Sequence, residues 1–184
     1  MDRRGKLTIV CGGMFSGKSE EVVRQVKRAA YARKEVKVFK PKMDDRFANK
    51  EIVTHDGQRV SAIQVDEGNP AEILGMVNGT TRIVVIDEAQ FFGPEIVEVA
   101  EELANRGYDV VGCGLDLDYN GKPFGSMPQL MAVAEEVQKK HAVCTLCGGE
   151  ACRSLRIAGG DSVIELGAED KYEPRCRKCF AEGK

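Results

Sequence analysis

Hydrophobic positions along the chain change their period several times, and each change marks an element. The run from Lys6 to Cys11 (KLTIVC) is nearly continuous in apolar residues, which predicts a buried strand. A glycine-rich turn follows, and then SEEVVRQVKRAAYARK sets Val22, Val23, Val26 and Ala30 at helical spacing. Glu20 and Glu21 in its first turn and Arg28, Arg33 and Lys34 near its end suit the helix dipole. Glu35 to Phe39 (EVKVF) reads as a second strand, and the polar stretch from Pro41 to Gln58 as a long loop, a feature that in compact domains is often functional. Asn69-Pro70 opens a short helix, Arg82 to Ile86 forms a strand, and a helix from about Pro94 to Asn105 is closed by Gly107. Tyr108 to Leu115 predicts a further strand and Met127 to Gln138 a further helix.

Strands alternating with helices predict an α/β fold, a parallel sheet flanked by helices on both faces. The pattern changes near Lys139. Beyond it lie paired cysteines and two short strand-like runs, Ser154 to Ile157 and Ser162 to Leu166, around Gly159-Gly160. We therefore expect an α/β domain over residues 1–139 and a small second domain over 140–184.

Composition narrows the class. With 184 residues, the chain buries one sizeable core and an appended module, and is too short for a pair of motor domains. No apolar run is long enough to span a bilayer, so no membrane partner is expected. A net charge of −2 argues against a large nucleic-acid footprint. The N-terminus, MDRRGKLTIVCGG, runs straight into a strand without an apolar leader, so a cytoplasmic protein is expected.

Gly12, Gly13, Met14, Phe15, Ser16, Gly17, Lys18 and Ser19 fit G-x-x-x-x-G-K-[ST] between a strand and a helix. Backbone N–H groups of such a loop wrap the phosphates of ATP, the lysine reaches the transferred group, and the serine hydroxyl ligates Mg²⁺. Asp87 ends an apolar strand, where a carboxylate holds the same magnesium. Glu88 follows it. A glutamate there either activates water, takes a proton from a substrate hydroxyl, or caps the next turn, and the residues alone leave this open. Asp87-Glu88-Ala89-Gln90 is also a helicase spelling, which the short chain disfavours.

Seven cysteines is an odd count, and four of them form two C-x-x-C pairs, Cys144 with Cys147 and Cys176 with Cys179. Four thiolates make a closed tetrahedral zinc site, and the 28 residues between the pairs must fold back between them. Cys11, Cys113 and Cys152 have no evident partners and read as small apolar residues.

Taken together, GGMFSGKS, KPKMDDRF, THD, VVIDEAQFF, GLDLDYNGKPFG, the first C-x-x-C and the tail GAEDKYEPRCRKCF resemble the type II (cellular-type) thymidine kinase family over nearly the whole chain. The tail is the most specific of these elements. The resemblance implies a RecA-like P-loop domain joined to a zinc-binding domain with a "lasso" loop, here about Ile164 to Pro174. It implies transfer of the γ-phosphoryl of ATP to the 5′-hydroxyl of thymidine, giving dTMP and ADP, with deoxyuridine as a second substrate. Glu88 would be the general base and Asp87 would serve magnesium, with Asp44 and Arg46 near the acceptor and phosphates. The nucleoside pocket would use Met14, Phe91, Leu115, Tyr119, Phe124, Val163, Glu165, Gly167 and Tyr172. Two positions depart from the pattern: Ala168 in the lasso, and Tyr119 where relatives often have Phe. The resemblance also implies a homotetramer and feedback inhibition by thymidine triphosphate. Residue chemistry by itself still admits a small P-loop ATPase, a kinase for another nucleoside, or a zinc-ribbon nucleic-acid adaptor favoured by the basic RCRK tail.

Overall fold

Six parallel strands form the main sheet. A computed structural model describes residues 4–42, 51–53, 57, 59–160 and 171–183. In chain order the elements are β1 (Leu7–Gly12), α1 (Lys18–Tyr31), β2 (Glu35–Pro41), β3 (Glu51–Val53), β4 (Arg59–Ser61), β5 (Ile63–Val65), α2 (Ile73–Met76), β6 (Thr81–Ile86), α3 (Ile96–Asn105), β7 (Asp109–Gly114), α4 (Met127–Val133), β8 (Glu136–Lys140), β9 (Ala142–Val143), β10 (Glu150–Ala151), β11 (Arg153–Arg156), β12 (Tyr172–Arg175) and α5 (Arg177–Glu182). Short 3₁₀ turns at Pro70–Glu72 and Ala89–Phe91 complete the set. The sheet runs β5-β2-β6-β7-β1-β8.

Alternation along the strands divides the core between the two faces. One face gathers Ile9, Val84, Ile86 and Val110 with Ile96, Val99, Ala100 and Leu103 of α3 and Met127 and Leu130 of α4. The other sets Val10, Val38, Val85 and Val111 against Val22 of α1. Each of the Val, Leu, Ile and Met side chains among these, fully buried, is worth about 1.5–3 kcal/mol, so both helical layers are held by the sheet they cover. The spacing in α3 is the i, i+3, i+4, i+7 stripe of an amphipathic helix.

One edge strand and one hairpin differ from the sequence expectation. The helix expected over Met127 to Gln138 ends at Val133, and Glu136–Lys140 instead pairs in parallel with β1, from Thr8 opposite Glu136 to Gly12 opposite Lys140. Ala134 is already extended, at ψ 140. An edge strand is charged and alternates in exposure, and here the charges concealed the strand's period. Lys6 pairs with Glu136, and Leu7 N–H donates to Glu135 Oε2 at 2.7 Å, fixing the junction. The polar stretch from Pro41 to Gln58 is likewise not all loop: Glu51–Val53 within it pairs antiparallel with Arg59–Ser61 just beyond it. The run Ser162 to Leu166 lies outside the described residues.

β1 and β6 are separated only by β7, which pairs with both in parallel. The glycine turn after β1 and the carboxylates after β6 therefore emerge at the same carboxyl edge, where open α/β sheets bind ligands. Beyond β8 the chain forms two small hairpins, β9 with β10 and β11 with β12. Thr145 N–H donates to Pro174 O at 3.1 Å and joins them.

Candidate active site

The glycine loop is held by its own polar groups. Ser16 Oγ donates to Gly13 O at 2.8 Å and Lys18 Nζ donates to the same carbonyl at 2.6 Å. Gly17 stands before α1 in the left-handed region, φ 80, which suits a residue without Cβ. At Gly12 an added Cβ would lie 2.2 Å from Lys140 O, so β8 presses directly on the loop. On its other side the loop leans on β11. Met14 N–H donates to the buried Ser154 Oγ at 2.9 Å, and an added Cβ at Gly13 would lie 3.3 Å from that oxygen.

Asp87 and Glu88 follow β6 as expected. Asp87 N–H donates to Phe39 O at 2.8 Å, and the side chain is buried. Burial and the neighbouring Glu88 charge push its carboxyl up to about 7, opposed by the Cys113 thiol from β7. Burial likewise raises that thiol well above its ordinary range. Lys40 at the end of β2 faces this pair; burial lowers its ammonium, and the attraction of Asp87 and Glu88 works against that.

Glu88 is left-handed, φ 51, a rare state for a residue with a Cβ. Its carboxylate Oε2 accepts from Gln90 Nε2 at 2.5 Å. The other end of the same amide, Gln90 Oε1, accepts from Leu115 N–H at 3.0 Å. Room for this buried amide comes from a missing side chain, since an added Cβ at Gly114 would lie 2.4 Å from Gln90 Oε1; at Gly125 one would lie 2.1 Å from the backbone carbonyl oxygen of Gln90, so that loop packs on the same turn. One chain of contacts thus links Glu88 to Leu115, while Phe91 lies in the same 3₁₀ turn as Gln90.

The expected pocket residues fall into groups. Phe91 and Phe124 meet edge to face, centroids 5.5 Å apart at 89°. Phe124 N–H donates to Asp116 O at 3.1 Å, folding its loop back toward Leu115. Tyr119 and Tyr172 meet the same guanidinium, that of Arg156. Met14 is half-buried in the loop. Asp44, Arg46, Val163, Glu165 and Gly167 lie outside the described residues, as does most of the segment named as the lasso.

The sequence reading missed Gln90, Lys40, Ser154 and Arg156. Gln90 lies in a motif already quoted; the signal for it was a polar residue among buried apolar ones, flanked in space by two glycines that are distant in sequence. Ser154 has no local signal, because its partner is 140 residues away.

At the C-terminal end the sulfurs of Cys144, Cys147, Cys176 and Cys179 lie within 4.8 Å of one another. Cys147 Sγ and Cys176 Sγ are 3.7 Å apart. A zinc ion bound at about 2.3 Å by four sulfurs requires edges of about 3.8 Å, so the set fits that ion. Backbone N–H groups, that of Cys176 foremost, pull the Cys144 thiol down to about 6. The neighbouring thiols, Cys176 first, push Cys179 up to about 12. Of the other cysteines, Cys11 and Cys113 are buried and Cys152 is half-buried.

Fold and site define an α/β protein of the phosphate-loop class with a four-cysteine cluster that could hold zinc. The thymidine kinase family model matches residues 5–180, and the chain belongs to the thymidine kinase family. Membership makes it a kinase, with thymidine and a nucleotide phosphate donor as its substrates. Among the described residues, no helix is long and apolar enough to cross a membrane.

Proposed function

We propose that the chain transfers the γ-phosphoryl of ATP to the 5′-hydroxyl of thymidine, and of deoxyuridine as a second acceptor, with Glu88 as general base. The observation that carries this reading is the fixed carboxylate of Glu88, joined through Gln90 to the backbone of Leu115. A base that must meet a sugar hydroxyl benefits from being fixed relative to the residues that hold the sugar, since proton transfer requires hydrogen-bond reach. Gly12 to Ser19 hold the donor's phosphates through backbone N–H groups. Lys18, whose Nζ donates to the Gly13 carbonyl of the same loop, lies where its ammonium can reach the transferred phosphoryl.

Ser19 and Asp87 are the residues that would hold magnesium. The buried Asp87 fits it, because burial beside a second carboxylate disfavours its charge and a divalent cation relieves that cost. When bound, the ion neutralises charge on the donor's phosphates. Glu88 then takes the proton of the attacking hydroxyl, and Phe91, Leu115, Phe124, Tyr119, Tyr172 and Met14 hold the nucleoside and displace water from the site. Asp44, Arg46, Val163, Glu165 and Gly167 belong to the same proposal. Cys144, Cys147, Cys176 and Cys179 would hold a structural zinc that pins the second hairpin of the C-terminal module against the first. The division of the chain at 139/140, a cytoplasmic location, a homotetramer, feedback inhibition by thymidine triphosphate and the lack of nucleic-acid partners complete the reading.

The test is Glu88→Gln with Mg·ATP and thymidine. The expected outcome is retained ATP binding with dTMP formation slowed roughly 10²- to 10⁴-fold, the loss a missing general base causes. Wild-type turnover by Glu88→Gln would remove Glu88 from the chemistry.

A further inference from the structure

The guanidinium of Arg156 touches two aromatic residues that reach it from different parts of the chain. It stacks over the Tyr119 ring, 3.7 Å from the centroid. Its Nε and Nη2 donate to Tyr172 Oη at 3.2 and 2.8 Å, and its Nη1 donates to Gly160 O at 2.8 Å. Arg156 stands opposite Tyr172 in the β11–β12 ladder, so backbone register brings the stem to the phenol. Tyr119 arrives from the loop after β7, and a cavity of about 470 Å³ lies beside this contact, lined by Tyr119, Leu155, Arg156 and Gly160 among others.

A planar cation does two things here that a flexible one cannot. Its face fixes the plane of Tyr119 by stacking, while its edge donors fix the rotation of Tyr172. A phenol oxygen offers one donor and two acceptor positions. With two N–H groups on the acceptor side, the Tyr172 O–H hydrogen is turned away from the guanidinium. The phosphate loop meets the same strand through a different residue, Ser154.

We propose that Arg156 is a positioning residue for the acceptor: it sets Tyr119 and Tyr172 in the orientation that receives a pyrimidine nucleoside, and so governs thymidine affinity while leaving the nucleotide donor's site intact. This rests on the reading of the two tyrosines as nucleoside contacts. It goes beyond that reading by assigning their orientation to one side chain.

The experiment compares wild type with Arg156→Met, Arg156→Lys, Tyr172→Phe and the Arg156→Met/Tyr172→Phe double variant. KM for thymidine, KM for ATP, kcat and bound zinc are measured for each. For Arg156→Met we expect thymidine KM to rise roughly 10- to 100-fold, as for loss of charged hydrogen bonds, with ATP KM and zinc content unchanged. Arg156→Lys falls between, since an ammonium keeps the charge without the plane. In the Tyr172→Phe background the Arg156→Met effect shrinks, because the two residues act through one contact. Unchanged thymidine KM in Arg156→Met and Arg156→Lys overturns the inference, as does a parallel rise of both KM values. Additive effects in the double variant also overturn it. Should Arg156→Met lose its zinc, Arg156→Lys and Tyr172→Phe carry the comparison. A wild-type chain that makes no dTMP is a separate result, and defeats the functional reading itself.

Discussion

Glu88 keeps a left-handed backbone that costs about 1–3 kcal/mol for a residue with a Cβ, and the side chain is held by one amide. Gln90 spends both ends of its side chain on this: one donates to Glu88, the other accepts from Leu115. The amide fits because Gly114 has no side chain, so the space is a property of the pair. Gly114→Ala would put a methyl 2.4 Å from Gln90 Oε1 and 2.8 Å from Met127 Sδ. The expected outcome is a fall in kcat of about tenfold or more, as when a catalytic group loses its orienting partner, with zinc content unchanged. Steady-state kinetics beside metal analysis checks it; unaltered kcat would show that Gln90 does not orient Glu88. At this scale the sequence was legible where function is contiguous. Gly12 to Ser19 and Asp87-Glu88 are read from neighbours in the chain. Gln90, Ser154 and Arg156 were not, since what each does is defined by partners 25, 140 and 16 residues away.

At the scale of elements, the four-cysteine cluster and the second hairpin are built together. Cys144 and Cys147 lie in the turn between β9 and β10, and Cys176 caps α5 just after β12, with Cys179 N–H reaching Cys176 Sγ at 3.4 Å. Arg156, Ser154 and Tyr172 sit on β11 and β12. If the cluster holds zinc as proposed, losing the metal would loosen the strands that contact both the phosphate loop and Tyr119. We expect one zinc per chain by elemental analysis, and Cys176→Ser to lose it together with a rise in thymidine KM; a variant with full metal and unchanged KM would contradict the pinning. The strands of the main sheet were legible where apolar runs are long, as in β1, β6 and β7. β8 and β5 were not. An edge strand buries less and carries charge, so Glu136–Lys140 continued the apparent period of the preceding helix, and the short Ile63–Val65 offered too few positions to show a period.

For the whole molecule, strand order decides what meets. Placing β7 between β1 and β6 puts the glycine loop, Asp87-Glu88 and the Leu115 loop along one edge of the sheet, and the C-terminal hairpins close against the loop from the side of β8. A hydrolase needs only the first two groups. This chain adds a set of aromatic residues and a C-terminal module with a four-cysteine cluster, which suit an organic acceptor held away from water. Sequence patterning indicated the α/β layers, while the way the C-terminal hairpins seat on the phosphate loop rests on Ser154 and could come only from three dimensions. The measurement that bears most directly on the account is product formation by purified wild-type protein with Mg·ATP across a panel of nucleosides. The account predicts ADP release that depends on thymidine and appears in equal amount with dTMP, with deoxyuridine accepted and purine nucleosides refused. ATP turnover indifferent to thymidine, with no dTMP formed, would contradict it.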